Sequence, residues 1–293
     1  FMAWWRRRTP RNPDGPRLIY WVDTFNNPFH PDIARAGVEV LEAAGYHLVV
    51  PEGLCCGRPL YDYGFLNMAR RFLQNALEQL QSELNAGVPI VGLEPGCVSV
   101  FRDELVGMMP DDPLAKRLQQ QTFLFSEFLL KESRTFAPPP LKRKAKLHMH
   151  CHHKSVLDPE SEVKLLKRMG VDVEVIDAGC CGMAGAFGFE AGDRYDVAVK
   201  AGERVLLPAV READPDTLVI TNGFSCHEQI QQGTGRRPLH IAEVLRLALV
   251  EVGAVPAAAP RLKPGWKPLE IAVMAGAGLG LVGAIAWRAR KRG

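Results

Sequence analysis

Gly179-Cys180-Cys181-Gly182, together with its earlier counterpart Leu54-Cys55-Cys56-Gly57, decides how this chain folds. Adjacent cysteines followed by glycine are rare by chance, and here the triplet occurs twice. Other features recur at nearly the same offset. Cys55 to Cys180 is 125 positions, Cys97 to Cys226 is 129, and Asp23 to Cys151 is 128. All seven cysteines fall into two sets, Cys55/Cys56/Cys97 and Cys151/Cys180/Cys181/Cys226. The spacing predicts an internal duplication built around thiols.

At 293 residues, 47% hydrophobic and 24% charged, the chain can bury substantial cores and is sized for two domains. A net charge of +3 makes no case for a nucleic-acid partner. An odd number of cysteines, with two adjacent pairs among them, argues against a disulfide framework. Phe1-Met2-Ala3-Trp4-Trp5 runs straight into arginines without the apolar stretch of a signal peptide, so a reduced cytoplasmic setting is expected. A start at Phe1 fits a piece of a longer polypeptide.

Residues 1–16 are basic and irregular and read as an arm against a missing neighbour. The first repeat, 17–137, alternates strand and helix patterns. Arg17–Asp23 is β-rich, and Pro31–Ala44 has apolar residues at helical spacing closed by Gly45. Strands at Tyr46–Val50 and Val88–Leu93 flank a long helix pattern over Tyr61–Leu84, and Leu114–Lys131 is a further helix. The second repeat, 141–252, has strands at Lys146–His150, Val171–Ile176 and Thr217–Thr221, and helices at Glu160–Met169, Arg194–Arg211 and Leu239–Val252. The expected fold is α/β: two tandem, pseudo-repeated parallel units followed by a C-terminal apolar helix. Asp23, Cys55/Cys56 and Cys97 then follow the C-terminal ends of strands, as do Cys151, Cys180/Cys181 and Cys226. Ligands of open parallel sheets gather beyond those ends.

Four thiols, Cys151, Cys180, Cys181 and Cys226, suit an iron–sulfur cluster or zinc. Buried structural cysteines and a labile bridge between adjacent cysteines are the alternatives. The first set has three cysteines and Asp23 where the repeat places Cys151, which leaves a cluster with an oxygen ligand, zinc or no metal. His148, His150, His152 and His153 flank Cys151, with His152 as the first candidate among them for a ligand or for a hydrogen-bonding partner of the ligands. Gly182 and Gly185 lie in a glycine-rich loop suited to close backbone approach to a cofactor, and that loop lacks the residues of a phosphate-binding loop. No catalytic triad or paired-carboxylate motif stands out.

These motifs resemble the cysteine-rich CCG-domain oxidoreductases. Asp23-Thr-Phe-Asn-Asn-Pro, Leu54-Cys-Cys-Gly-Arg-Pro-Leu-Tyr, Gly92-Leu-Glu-Pro-Gly-Cys97, His150-Cys-His-His-Lys154 and Thr221-Asn-Gly-Phe-Ser-Cys226 are similar to the C-terminal region of fused FAD-binding and iron–sulfur-binding oxidoreductases. The resemblance implies an electron-transfer module with a [4Fe–4S] cluster, serving a flavoprotein dehydrogenase domain or subunit that oxidises a 2-hydroxy acid such as lactate, glycolate or 2-hydroxyglutarate. A quinone or another redox carrier would accept the electrons, and FAD would sit in the partner. The family pattern has a lone Cys, then CCG, then CxxC in each half. Here Asp23 replaces the lone Cys, and Cys97-Val-Ser-Val100 and Cys226-His-Glu-Gln229 replace CxxC, which favours one four-thiolate cluster in the second half. A zinc-stabilised tethering subunit and a heterodisulfide-reductase-like thiol catalyst are the other readings.

After an Ala/Pro-rich linker at 253–269, residues 270–293 read as a membrane anchor with a basic end. Ile271–Trp287 is uncharged and would span about 26 Å as a helix, close to the roughly 30 Å hydrocarbon core. Ala272, Gly276, Gly280 and Ala284 repeat every four residues, a small-residue packing face. The expected location is cytoplasmic, attached to the inner face of the cell membrane.

Overall fold

Short parallel strands organise the described residues, 1–133 and 136–257, of a computed structural model. Strands β1 (Arg17–Trp21), β2 (His47–Val49), β3 (Ile90–Gly92) and β4 (Thr122–Leu124) form one sheet in the order β2-β1-β3-β4. Strands β5 (Lys144–Leu147), β6 (Asp172–Val175) and β7 (Leu218–Ile220) form a second in the order β6-β5-β7. Every pairing is parallel. Ile220 also bridges in parallel to Leu239, at the place where β4 lies beside β3 in the first sheet. In both sheets the chain builds on one side of the first strand and then crosses to the other. That reversal opens a crevice beyond the strand ends.

Sequence alternation sorts the side chains between layers. Leu18 and Tyr20 of β1 enter a core shared by both halves, whereas Ile19 and Trp21 enter a separate core of the first half. In β7, Ile220 joins the shared core and Val219 the second half's own. Strands β1 and β3 are buried on both faces and read as nearly continuous apolar runs, whereas β5 and β6 alternate charged and apolar residues and leave Lys144, Asp172 and Glu174 exposed.

The shared core is built by exchange of helices. Helix Pro31–Ala43 of the first half packs against Ile241–Glu251 of the second, and Pro159–Arg168 of the second against Phe125–Lys131 of the first. The four helices supply Ile33, Leu41, Phe128, Leu165, Val244 and Leu245 to one cluster. Fully burying one such side chain is worth about 1.5–3 kcal/mol. Helices Phe125–Lys131 and Ile241–Glu251 start alike, with Glu127 accepting from the Leu124 N–H and Glu243 from the His240 N–H. Phe1–Val255 accordingly form one compact unit.

Part of the N-terminal arm packs on the chain itself, while Arg6, Arg7 and Arg11 are exposed. Phe1 is buried against Trp4, Trp5 and Tyr20, and Arg8 lies over both tryptophans while pairing twice with Glu42, at 2.6 and 2.7 Å. Several expected helices are divided. Tyr61–Leu84 becomes Leu66–Gln79 and Gln81–Asn85, because Gly64 turns the chain in a left-handed conformation before the first of them. Arg194–Arg211 splits into Asp193–Gly202 and Leu206–Arg211. Leu114–Lys131 contains β4, whose three residues join the sheet edge beside β3 between two helices. No helix among the described residues is long and apolar enough to cross a membrane, and Ile271–Trp287 lies outside them.

Asn222, just past β7, joins three elements. Its amide donates to Glu162 Oε2 at 2.9 Å, and its oxygen accepts from Ile241 N at 3.0 Å. Burial pushes the Glu162 carboxyl up to about 8 against the pull of the Asn222 bond. A raised folded-state value means that the neutral acid stabilises the fold, an effect lost as pH rises from the ordinary carboxyl range toward 8. Glu162→Gln keeps the acceptor and cannot ionise. Between about pH 5 and 8 the melting temperature of the wild-type chain should fall more steeply than that of the variant; parallel curves would show that Glu162 does not titrate in this way.

Candidate metal centre

Each cysteine is delivered just past a strand end. Cys97 lies in the helical turn Pro95–Ser99 after β3, and Cys226 in the first turn of helix Phe224–Thr234 after β7. Cys151 opens the turn Cys151–Ser155 after β5. The paired cysteines occupy the loops after β2 and β6. Helix starts favour thiolate over thiol, because unpaired N–H groups point at the sulfur.

In the second half the four thiols converge. Cys226 Sγ is 3.3 Å from Cys181 Sγ, and Cys151 Sγ is 3.9 Å from Cys180 Sγ. The Gly182 N–H points to Cys180 Sγ at 3.3 Å. Cys181 and Cys226 are buried, whereas Cys151 and Cys180 are exposed. The neighbouring Cys181 thiol and then burial push the Cys180 thiol far above its usual range; burial and then Cys180 raise that of Cys151. Packed thiols resist sharing negative charge without a cation, and a metal would release their protons.

The imidazole at this site is His148. Its ligating nitrogen and the sulfurs of Cys181 and Cys226 all lie within 4.8 Å of one another. The side chain is fully buried, and neither ring nitrogen has a partner. Burial lowers its pKa to about 4, so it is neutral with a free lone pair. His152 instead stacks on His150 at 5.2 Å and is partly exposed, while His153 sits 3.3 Å from Glu162. The residues present fit an iron–sulfur cluster or another thiolate-bound metal: four sulfurs, an N–H donor to sulfur and an unpartnered imidazole.

The first half differs in kind. Cys56 Sγ and Cys97 Sγ are 2.9 Å apart, both buried, and Cys55 is half-buried. Asp23 is buried, but its Oδ1 accepts from the N–H groups of Phe25 and Asn26, and its Oδ2 accepts from the Asn26 amide at 2.7 Å. Its carboxylate is thus held by the local turn. Among the described residues, the first-half cysteines join no group of three such ligands.

Different polar clamps hold the two CCG loops. Arg58 reaches from the first loop to the Gly96 carbonyl at 3.0 Å and to Ser99 Oγ at 2.8 Å. In the second half, the Gln229 amide donates to the carbonyls of Cys181 at 3.1 Å and Ala198 at 2.8 Å. Gln229 stands where a CxxC pattern would carry its second cysteine, and here it fastens the loop. Between the halves, buried Glu94 accepts from Gly96 N at 3.0 Å and from Phe224 N at 2.8 Å, so one carboxylate touches the helix starts that carry Cys97 and Cys226. Burial and Asp23 raise its carboxyl to about 8 against the pull of those two N–H groups. Glu94 lies within the Gly92–Cys97 motif, but its partner Phe224 is 130 positions away and no local signal links them.

The fold is a doubly repeated parallel α/β unit with thiols just past its strand ends. Residues 22–102 and 145–231 match the cysteine-rich domain family, CCG, and the chain belongs to that family. It is 27% identical over 256 residues to a component of the anaerobic glycerol-3-phosphate dehydrogenase of Escherichia coli (strain K12), a match covering 85% of this chain and 63% of that one. It is 26% identical over 231 residues to D-2-hydroxyglutarate dehydrogenase of Pseudomonas putida, covering 78% of this chain and 22% of that one. With lactate utilization protein A of Bacillus subtilis it shares 28% identity over 244 residues, 78% of this chain and 98% of that one. The chain therefore spans under two thirds of the first two relatives and nearly all of the third.

The third residue of each triplet is left-handed, with φ of +76° at Gly57 and +95° at Gly182. A Cβ at Gly182 would also lie 2.2 Å from the Ala198 carbonyl oxygen, whereas at Gly57 its nearest neighbour is 3.5 Å away. Gly185 is left-handed too, and a Cβ there would be 3.8 Å from Asp62. Gly57→Ala should cost about 1–2 kcal/mol through backbone strain alone, and Gly182→Ala about 3 kcal/mol or more. Chemical denaturation measures both; equal losses would show that the contact with Ala198 relaxes freely.

Proposed function

We propose that this chain is the iron–sulfur electron-transfer module of a flavin-dependent oxidoreductase acting on small hydroxylated substrates of the 2-hydroxy-acid kind. The observation that carries the proposal is the convergence of Cys151, Cys180, Cys181 and Cys226 at the C-terminal edge of one parallel sheet, in a chain whose relatives include a dehydrogenase subunit and a dehydrogenase. One [4Fe–4S] cluster in the second half fits this donor set. When bound, it would supply one-electron transfer at a potential set by net charge, hydrogen bonds to sulfur and solvent exposure.

The residues of the chain divide that work. Cys181 and Cys226 hold the buried side beside His148, and Cys151 and Cys180 hold the side open to an approaching partner. The Gly182 N–H stabilises negative charge on Cys180, and Gln229 keeps the loop against helix Phe224–Thr234. Substrate oxidation and FAD belong to a flavoprotein domain or subunit, and a quinone or similar carrier accepts the electrons. The first half, with Asp23 held by its own turn, is the scaffold copy or a zinc site. The apolar tail beyond residue 269 is the proposed attachment to the inner membrane face.

The mixed Cys/His surroundings of Cys181 and Cys226 also suit zinc, which would make the chain a structural subunit. Metal analysis separates the two. Purified anaerobically, the protein should carry iron and labile sulfide and show visible absorbance that bleaches on reduction. Cys180→Ser or Cys226→Ser should remove the iron and sulfide, while Cys55→Ser retains them. A colourless protein containing zinc alone would overturn the proposal.

A further inference from the structure

A second set of metal-ligating side chains meets at the seam between the halves, apart from the cysteines. His30 stands just before helix Pro31–Ala43 of the first half, and His227 and Glu228 lie in helix Phe224–Thr234 of the second. His30 Nε2 is 2.9 Å from Glu228 Oε1, and His227 Nδ1 is 3.1 Å from the same oxygen. The two imidazole centroids are 4.4 Å apart, and the three ligating atoms all lie within 4.8 Å of one another.

Three features of the geometry suit a metal ion. First, ligand atoms about 2.0–2.2 Å from a common ion stand roughly 3.0–3.4 Å apart, close to the two nitrogen–oxygen separations seen here. Second, His227 is 2% exposed, and its Nε2 has no protein partner. If Nδ1 binds a metal, Nε2 carries the proton and needs an acceptor, as the second nitrogen of a metal-bound histidine usually does. Third, that acceptor has a place. A small cavity with room for about one water is lined by His227, His30, Asn26, Glu94 and Asn222. His30 and Glu228 are only partly buried, which leaves coordination positions for solvent or for a ligand.

We propose that His30, His227 and Glu228 bind a divalent first-row transition-metal ion of the zinc or ferrous type. Two imidazoles and one carboxylate are the donor set of open, three-ligand sites for such ions. The ion clasps the two halves, since one ligand comes from the first and two from the second. The site uses no thiol and stands independently of the iron–sulfur proposal.

Zn²⁺ is the probe, added to the full chain as purified after removal of loosely held metal, with binding followed by calorimetry and melting temperature. One Zn²⁺ per chain should bind that is lost or weakened at least about tenfold in Glu228→Gln and in His30→Ala, with iron and sulfide contents unchanged. Zn²⁺ should raise the melting temperature of the wild-type chain and not that of either variant. Zinc taken up by the thiols is common to all three proteins and cancels in the difference. Glu228→Gln preserves the shape of the side chain, so it reports even if His30→Ala fails to fold. Equal Zn²⁺ stoichiometry and affinity in the wild-type chain and Glu228→Gln would overturn the proposal. Cys180→Ser should lose its iron and sulfide yet keep this Zn²⁺ site, so the failure of one site is read separately from that of the other.

Discussion

The exchange of helices between the halves is the interaction on which the rest of the structure depends. Pro31–Ala43 finds its apolar partner in Ile241–Glu251, and Pro159–Arg168 finds its own in Phe125–Lys131. Neither half covers its sheet alone. Because each half caps the other, the C-terminal edges of the two sheets come close enough for direct bonds between them. Glu94 reaches Phe224 N, His30 reaches Glu228, and Phe25 stacks on Phe224 with ring centroids 4.2 Å apart. A chain that needed only two independent domains would place none of these pairs together.

The two copies have diverged at their ligands while keeping their frame. Cys97 and Cys226 hold the same place in their helix turns, and both CCG loops close on a left-handed glycine. The first copy carries Asp23 where the second carries Cys151, and the Asp23 oxygens are occupied by the N–H groups of its own turn. In the second, Gln229 has become a clamp on the loop that presents Cys181. Both replacements stabilise the polypeptide around the thiols, and the four sulfurs of the second half remain as the complete set.

Much of the fold was legible because the buried strands β1 and β3 leave apolar runs, β5 and β6 alternate charged and apolar residues, and glycine and proline mark the helix ends. β1, β5 and the helices Pro31–Ala43, Pro159–Arg168 and Ile241–Glu251 lie within a few residues of their expected bounds. β4 escaped notice because Thr122-Phe123-Leu124 is too short to show a period, and only the edge of β3 makes it a strand. The helix Phe224–Thr234 was hidden by its polar residues and Gly233, and its polar Gln229 is buried for a reason that local pattern does not carry. At the site, all seven cysteines and Asp23 were visible in the sequence. His148 was one of four crowded histidines, and only its placement beside Cys181 and Cys226 singles it out.

The sequence by itself determined the duplication, the parallel α/β class and the delivery of each cysteine beyond a strand end, because these follow from spacing and local period. Tertiary structure alone decided which cysteines face one another and that His30 meets His227 and Glu228. Those pairings join residues up to 198 positions apart. The meeting of His30 with His227 and Glu228 depends on how one half seats on the other, and seating is set by the complementarity of whole helix faces, which no short stretch of sequence contains. The Cys180-Cys181-Gly182 triplet reveals a thiol site from sequence alone, and the packing behind it gives that site its imidazole, its clamp and its open side.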